Sequence, residues 1–116
     1  MFLGVLKLRK DFTMTEEINN LNTDLKELFV NDKIEESSNI LDQTADETVL
    51  EISLFNYEII KKYYDSGKFT LLIQYIRFVA FSCYLCEYAA KRQLIAKDSF
   101  DGMSFIFNEI YKLIQK

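Results

Sequence analysis

The sequence predicts an all-α fold, an antiparallel four-helix bundle with a long apolar third helix. It contains no proline and three glycines, and a sheet fold needs more of both in its turns. Hydrophobic residues make up 49% of the chain and aromatic residues 15%, which is far from the composition of a disordered protein. Four apolar or amphipathic segments with short connections favour helices that pack antiparallel to their neighbours.

The predicted third helix, residues 68–92, is the most apolar part of the chain. Its inner stretch, residues 69–90, lacks proline and glycine and has two formal charges, Arg77 and Glu87. As a helix this stretch is about 33 Å long, which is enough to cross a bilayer. The arginine near its middle opposes insertion into lipid. We therefore expect a buried helix at the centre of a soluble bundle.

The two preceding helices are predicted from their ends and their apolar spacing. The first covers residues 14–30, where Thr13 and Glu16 have the spacing of a capping box. The second covers residues 47–65 and stops at the Ser66–Gly67 pair. Between them, residues 31–45 have too few apolar positions to choose between a short helix and an ordered connection.

The closing helix has the clearest amphipathic pattern in the chain. Asp98 is its predicted cap, and Asp101 in its first turn is favourably placed against the helix dipole. The apolar stripe of this helix consists of Met103, Ile106, Phe107, Ile110, Leu113 and Ile114. Such a stripe predicts a helix that buries one face against the core.

We divide the sequence into one helical domain, residues 14–116, and an N-terminal segment, residues 1–13. The segment is a tail or lies upstream of the true start, because Met14 begins the first helix. Its apolar residues precede its basic ones and the run is short, which does not fit a secretory signal, so we expect a cytoplasmic protein. The alternative is a short membrane-surface anchor. Its residues would be Phe2, Leu3, Val5 and Leu6 with Lys7, Arg9 and Lys10.

Few residues in the chain could support catalysis. There is no histidine, the usual general base at neutral pH and the commonest metal ligand, so we predict a protein that is not an enzyme and has no cofactor. Cys83 and Cys86 have the CxxC spacing. They lie inside a predicted helix, away from the N-terminus that would lower a thiol pKa, and no further cysteine or histidine could complete a zinc site. We predict reduced thiols without metal.

Charge is unevenly distributed along the chain. Residues 14–66 hold 13 acidic and 4 basic side chains, a balance of −9, whereas residues 67–116 hold 4 acidic and 7 basic ones, a balance of +3. The overall pI of about 4.8 argues against nucleic-acid binding. The basic excess makes the C-terminal half the better candidate for contact with a partner or an anionic membrane face.

A stripe on the third helix predicts a partner-binding surface. Its residues follow each other at spacings of three and four, so they share one side of the helix. The stripe consists of Thr70, Gln74, Arg77, Phe81, Tyr84, Tyr88 and Lys91. The alternative is the outward side of a packed helix. Because tyrosine and arginine are favoured at interfaces, we select Arg77, Tyr84, Tyr88, Lys91, Arg92 and Lys97 as candidate binding residues.

The C-terminal run over residues 72–114, LIQYIRFVAFSCYLCEYAAKRQLIAKDSFDGMSFIFNEIYKLI, resembles the immunity proteins that protect lactic-acid bacteria and streptococci from pediocin-like bacteriocins. Three features carry the resemblance. They are an apolar helix, a polar turn around Gln93, and an amphipathic closing helix that contains N-E-I-Y at residues 108–111. The resemblance covers the second half of the chain, and the first half only by its number of helices.

The resemblance implies a cytoplasmic four-helix bundle. Proteins of that family are thought to block, from the inner side, the pore that the bacteriocin forms with membrane subunits of the mannose phosphotransferase permease. Their C-terminal half determines specificity, which here would include Lys91, Arg92 and Lys97. The implied partner is thus a membrane permease–bacteriocin complex, with peripheral membrane contact.

Two functions of other classes remain open. A compact viral Bcl-2-like protein would also place an apolar helix late in an all-α chain, and it would bind an amphipathic partner helix in an exposed apolar cleft. A sensor or interaction domain of a bacterial regulator is the other possibility, although the sequence has no helix-turn-helix that reads DNA.

Overall fold

The computed structural model describes residues 15–115, which form α-helices and no strand. The helices are α1 (Glu16–Val30), α2 (Ile34–Asp42), α3 (Asp46–Asp65), α4 (Phe69–Gln74), α5 (Ile76–Lys91) and α6 (Lys97–Ile114). The predicted all-α class is confirmed. The N-terminal segment lies outside the described residues, and the predicted cap of α1 at Thr13 is wrong because Thr15 is its N-cap.

Helix α5 lies at the centre of the fold. It packs against α1, α3, α4 and α6, and six of its residues are buried: Val79, Phe81, Ser82, Leu85, Cys86 and Ala89. Phe81 is one of the two largest fully buried side chains in the described part of the chain. The part of the predicted third helix that forms α5 is therefore central, but the described residues form six helices and not the four that were predicted.

The predicted single helix over residues 68–92 is wrong, because the chain divides there into α4 and α5. Tyr75 separates them with φ −107° and ψ 40°, outside helical geometry. On the α3 side, the ring centroids of Phe69 and Tyr64 are 5.6 Å apart, and Leu72 is buried in the core. On the other side, Val79 is buried along α5. The chain bends between these fixed points, so tertiary packing overrides local helix propensity.

The other boundaries differ from prediction by one or two residues. Thr15 caps α1 by accepting the backbone N–H of Ile18 at 3.2 Å. The structure resolves the alternative for residues 31–45 in favour of a short helix, α2. Asp98 is not the cap of the closing helix, because α6 begins at Lys97 after Ala96 and Asp98 lies in its first turn. In that position the carboxylate of Asp98 still interacts favourably with the helix dipole.

Two residues other than glycine adopt left-handed backbone geometry in the connections. Asp32 has φ 65° after α1, and Gln93 has φ 64° after α5. Gly67 has φ 72° at the predicted stop after α3, where glycine adopts this geometry without steric cost. In the described range, none of the helices combines the length and apolarity needed to span a bilayer.

Candidate partner-binding surface

The middle of the predicted stripe, from Arg77 to Tyr88, contacts α1 and α2, whereas Thr70, Gln74 and Lys91 are exposed. The guanidinium of Arg77 donates to the carbonyl oxygen of Val30 at 2.9 Å, at the end of α1. The ring of Phe29 lies 5.7 Å from Phe81 and 5.3 Å from Tyr84, centroid to centroid. The end of α1 is therefore attached to α5 by one charged hydrogen bond and by aromatic packing.

The two tyrosines of the stripe bind α2 through their hydroxyl groups. The hydroxyls of Tyr84 and Ser38 are hydrogen-bonded at 2.6 Å, and Tyr88 donates to the carboxylate of Asp42. Burial and this contact with Asp42 raise the pKa of Tyr88. We call the contacts of Arg77, Tyr84, Tyr88 and Arg92 with α1, α2 and the start of α3 the polar seam.

Arg92 completes the polar seam beyond the end of α5. It donates to the carbonyl oxygens of Leu41 at 2.9 Å and Thr44 at 3.3 Å, and it forms an ion pair with Asp46. Its guanidinium carbon lies 5.6 Å from the centre of the Tyr88 ring. One arginine thus binds a carbonyl in the last turn of α2, the following loop and the first residue of α3.

Four of the six predicted binding residues therefore contact α1, α2 or the start of α3. The structure places Arg77, Tyr84 and Tyr88 along one side of α5, as their spacing predicted, and Arg92 follows at its end. Tyr84, Tyr88 and Arg92 hold α2, whose one fully buried large side chain is Leu41. A short helix with so little apolar surface needs such polar contacts to remain in place.

The other two predicted residues, Lys91 and Lys97, are exposed at the turn between α5 and α6. The Lys97 side chain is 85% exposed, and its ammonium lies 3.2 Å from the carboxylate of Asp101. Two adjoining shallow cavities, of about 520 and 420 Å³, share Ala90 and Phe100. Lys97 and Asp101 line the first, and Lys91 and Glu87 line the second, so two cations and two carboxylates surround a half-buried phenyl ring. We call Lys91, Lys97 and Phe100 the cationic turn.

An apolar surface around α4 was missed by the sequence analysis. A groove of about 470 Å³ runs between α1, α3, α4 and α5. Its walls are formed by Lys26, Ile59, Ile60, Tyr63, Leu71, Leu72, Tyr75, Phe78 and Val79. The absence of charged residues from residues 69–76 could have indicated this surface. The prediction of one long buried helix placed the whole run in the core.

The two cysteines have poor properties for nucleophilic chemistry. Both are free thiols, Cys86 is buried and Cys83 is half-buried. Burial raises the pKa of Cys83 to about 11 and that of Cys86 to about 12. Because the thiolate is the reactive form, neither sulphur is activated at neutral pH. Within residues 15–115, no group of three or more potential side-chain ligands is placed to hold a metal ion.

Buried polar side chains of α3 join the central helices. Ser53 donates to the carbonyl oxygens of Val49 at 2.8 Å and Leu85 at 3.2 Å. Asn56 donates to Asn22 at 3.0 Å and to its own helix. These groups are satisfied inside the core and are not directed into a cavity, which indicates a structural role.

Comparison with known proteins gives no assignment: no family model, curated protein or solved structure matches this sequence. Its function is therefore inferred from the surfaces described above and from the resemblance in residues 72–114.

Proposed function

We propose that the protein is a cytoplasmic immunity protein of the pediocin-like bacteriocin class. In this proposal it is not an enzyme, uses no cofactor, and acts by binding the bacteriocin–permease complex at the inner face of the membrane. The four long helices α1, α3, α5 and α6 would correspond to the four-helix bundle of that family, with α2 and α4 as connecting helices.

The observation that carries the proposal is the placement of the resembling run. Residues 72–114 include the central helix α5, the cationic turn and the amphipathic helix α6. Lys91 and Lys97 are the two members of the predicted binding set whose charged groups are not engaged in the polar seam. They lie beside Phe100, so the turn combines charge with apolar surface, as interface contact sites do.

A protection assay tests this function. The chain is expressed in a bacteriocin-sensitive strain, and the inhibitory concentration is measured for a panel of pediocin-like bacteriocins. We expect protection against at least one of them, and loss of about tenfold or more of that protection in the double variant Lys91→Glu/Lys97→Glu, because charge reversal at a contact disfavours binding. Its thermal midpoint should change little, since exposed charges have small effects on stability.

The matched control is the double variant Lys33→Glu/Lys112→Glu. It makes the same change in net charge at two exposed lysines away from the cationic turn. Its protection should equal that of the unaltered chain. A wild-type protein that protects against none of the panel would refute the family proposal, and equal loss of protection in both variants would refute the cationic turn as the site.

The groove beside α4 favours a second candidate, the Bcl-2-like one. That function requires an exposed apolar cleft, and eight of the nine side chains that line this groove are apolar or aromatic. An amphipathic helical peptide that binds the chain and is displaced by Leu71→Glu, with no protection from bacteriocins, would support this candidate over the first.

A further inference from the structure

Exposed apolar side chains of the described residues are concentrated in and next to α4. Phe69, Leu71, Ile73 and Tyr75 are 40%, 36%, 38% and 58% exposed, although they occupy a stretch of seven residues. Of the other three residues of α4, Leu72 is buried, and Thr70 and Gln74 are exposed but uncharged. A cluster of exposed large apolar groups of this kind marks an interaction site.

The surroundings of α4 are cationic, in contrast to the acidic chain as a whole. Residues 61–77 contain four basic side chains and one acidic one, a balance of +3, against −4 for the whole sequence. The acidic one, Asp65, forms an ion pair with Lys61 at 2.7 Å. Lys62 and Lys68 are exposed on the chain that leads into α4, and Lys26 lines the adjacent groove.

An apolar, uncharged element with cations around it fits an anionic lipid surface. Apolar and aromatic side chains partition into the boundary between headgroups and acyl chains, where tyrosine is favoured because its ring is apolar and its hydroxyl is polar. Lysines next to the inserted residues are attracted to anionic headgroups. A negatively charged protein needs such a local cationic region, since the rest of its surface is repelled.

We infer that α4 is a membrane-docking element that binds the surface of an anionic bilayer through Ile73, Tyr75 and their apolar neighbours. This inference goes beyond the proposed function, because it names the surface through which the protein would contact the membrane. It rests on the proposed function only for the location of the protein at the inner face of the membrane. It narrows to α4 the membrane contact that the sequence predicted for the basic half, residues 67–116, and it does not use the alternative, the N-terminal segment.

The test is sedimentation of the full chain with vesicles, in the absence of any bacteriocin. Vesicles of phosphatidylcholine with about 30% phosphatidylglycerol should bind the protein at low salt, and vesicles of phosphatidylcholine alone should bind it much less. The double variant Ile73→Ser/Tyr75→Ser should bind the anionic vesicles about tenfold more weakly, because it removes two apolar anchors from the interface. Binding should decrease as salt is added.

The chain offers a closely matched control, Phe105→Ser/Ile114→Ser. It also replaces one aromatic residue and one isoleucine, which are 60% and 46% exposed on α6. Circular dichroism should show both variants to be folded, and the control should bind vesicles as the wild type does. Three results would overturn the inference. They are no binding by the wild type, equal binding by the α4 variant, and a wild-type dimer that the α4 variant converts to monomer, since a second copy would then cover α4.

These outcomes are independent of the protection assay. Vesicle binding without protection would leave α4 as a membrane element in a protein of another function. Protection without vesicle binding would retain the proposed function and refute the role of α4.

Discussion

The hydrogen bond between Ser38 and Tyr84 allows a quantitative test of the polar seam. Its oxygens are 2.6 Å apart, it is half-buried, and it joins α2 to the central helix. Removing either hydroxyl by Ser38→Ala or Tyr84→Phe should lower the free energy of unfolding by about 1 kcal/mol, because a hydrogen bond within a protein contributes about 0.5–1.5 kcal/mol net. For a domain of this size, that corresponds to a decrease of about 4 °C in Tm.

A double-mutant cycle separates the hydrogen bond from side effects. Alanine has a higher helix propensity than serine, which offsets part of the loss in Ser38→Ala, but this term cancels in the cycle. Once one hydroxyl is absent, removing the other should cost almost nothing. We therefore expect a coupling energy of about 1 kcal/mol from urea unfolding followed by circular dichroism.

The control cycle pairs Tyr84→Phe with Ser99→Ala. Ser99 is exposed in the first turn of α6 and forms no contact with Tyr84. The effects of this pair should add within about 0.3 kcal/mol. A coupling energy below that value for Ser38 and Tyr84 would refute the seam, and it would return Tyr84 to the set of residues available to an outside partner.

Two further predictions concern backbone geometry and pH. Gln93→Gly should raise the free energy of unfolding by about 0.5–1 kcal/mol in urea titrations, because Gln93 has φ 64° and a side chain disfavours that geometry; a loss would contradict this. Stability should fall as pH rises above about 9, since the unfolded chain loses the Cys86 proton near its ordinary pKa of 9.0 whereas burial raises the folded pKa to about 12. Tm measured between pH 8 and 11 should decline less in Cys86→Ala, and an identical decline would contradict the assignment.

The helical class could be predicted because it depends on local properties of the sequence. Absent prolines, apolar spacing and helix stop signals act within a few residues, and they placed α1, α3 and α6 to within two residues at the ends that the structure describes. The division at Tyr75 could not be predicted in this way. Neither proline nor glycine marks it, and it adjoins a short helix that packs against α3 and α6, contacts that the local sequence does not indicate.

The stripe on α5 shows a different limit of sequence reasoning. Tyrosine and arginine at helical spacing are equally suited to binding a partner protein and to binding another helix of the same chain, since both uses need an apolar body and a polar end. The two uses differ in whether another part of the same chain, here residues 34–42, lies against the stripe. The available signal was Leu41, which is buried in the core, with the half-buried Ile40 beside it packed against the core.

The polar seam also changes the design of functional experiments. Sequence reasoning treats Lys91, Arg92 and Lys97 as one cationic group, and reversing all three charges would then test one surface. In the structure Arg92 holds α2 and the start of α3, so Arg92→Glu would place a carboxylate beside Asp46 and the carbonyl of Leu41. Loss of protection in such a triple variant would not distinguish unfolding of the protein from weaker binding of its partner. Variants limited to Lys91 and Lys97 avoid this ambiguity.

The position of the two exposed surfaces constrains how the protein can face a membrane. The cationic turn follows the C-terminal end of α5 and α4 precedes its N-terminal end; the helix has 16 residues, so the surfaces are separated by about 24 Å. The two surfaces cannot both contact one flat bilayer if α5 is perpendicular to it. If α4 lies in the lipid interface and α5 is perpendicular to the bilayer, the cationic turn is about 24 Å from the lipid headgroups, where it would contact a projecting part of a permease. Lys91→Glu/Lys97→Glu would then reduce protection without reducing vesicle binding, whereas Ile73→Ser/Tyr75→Ser would reduce vesicle binding directly.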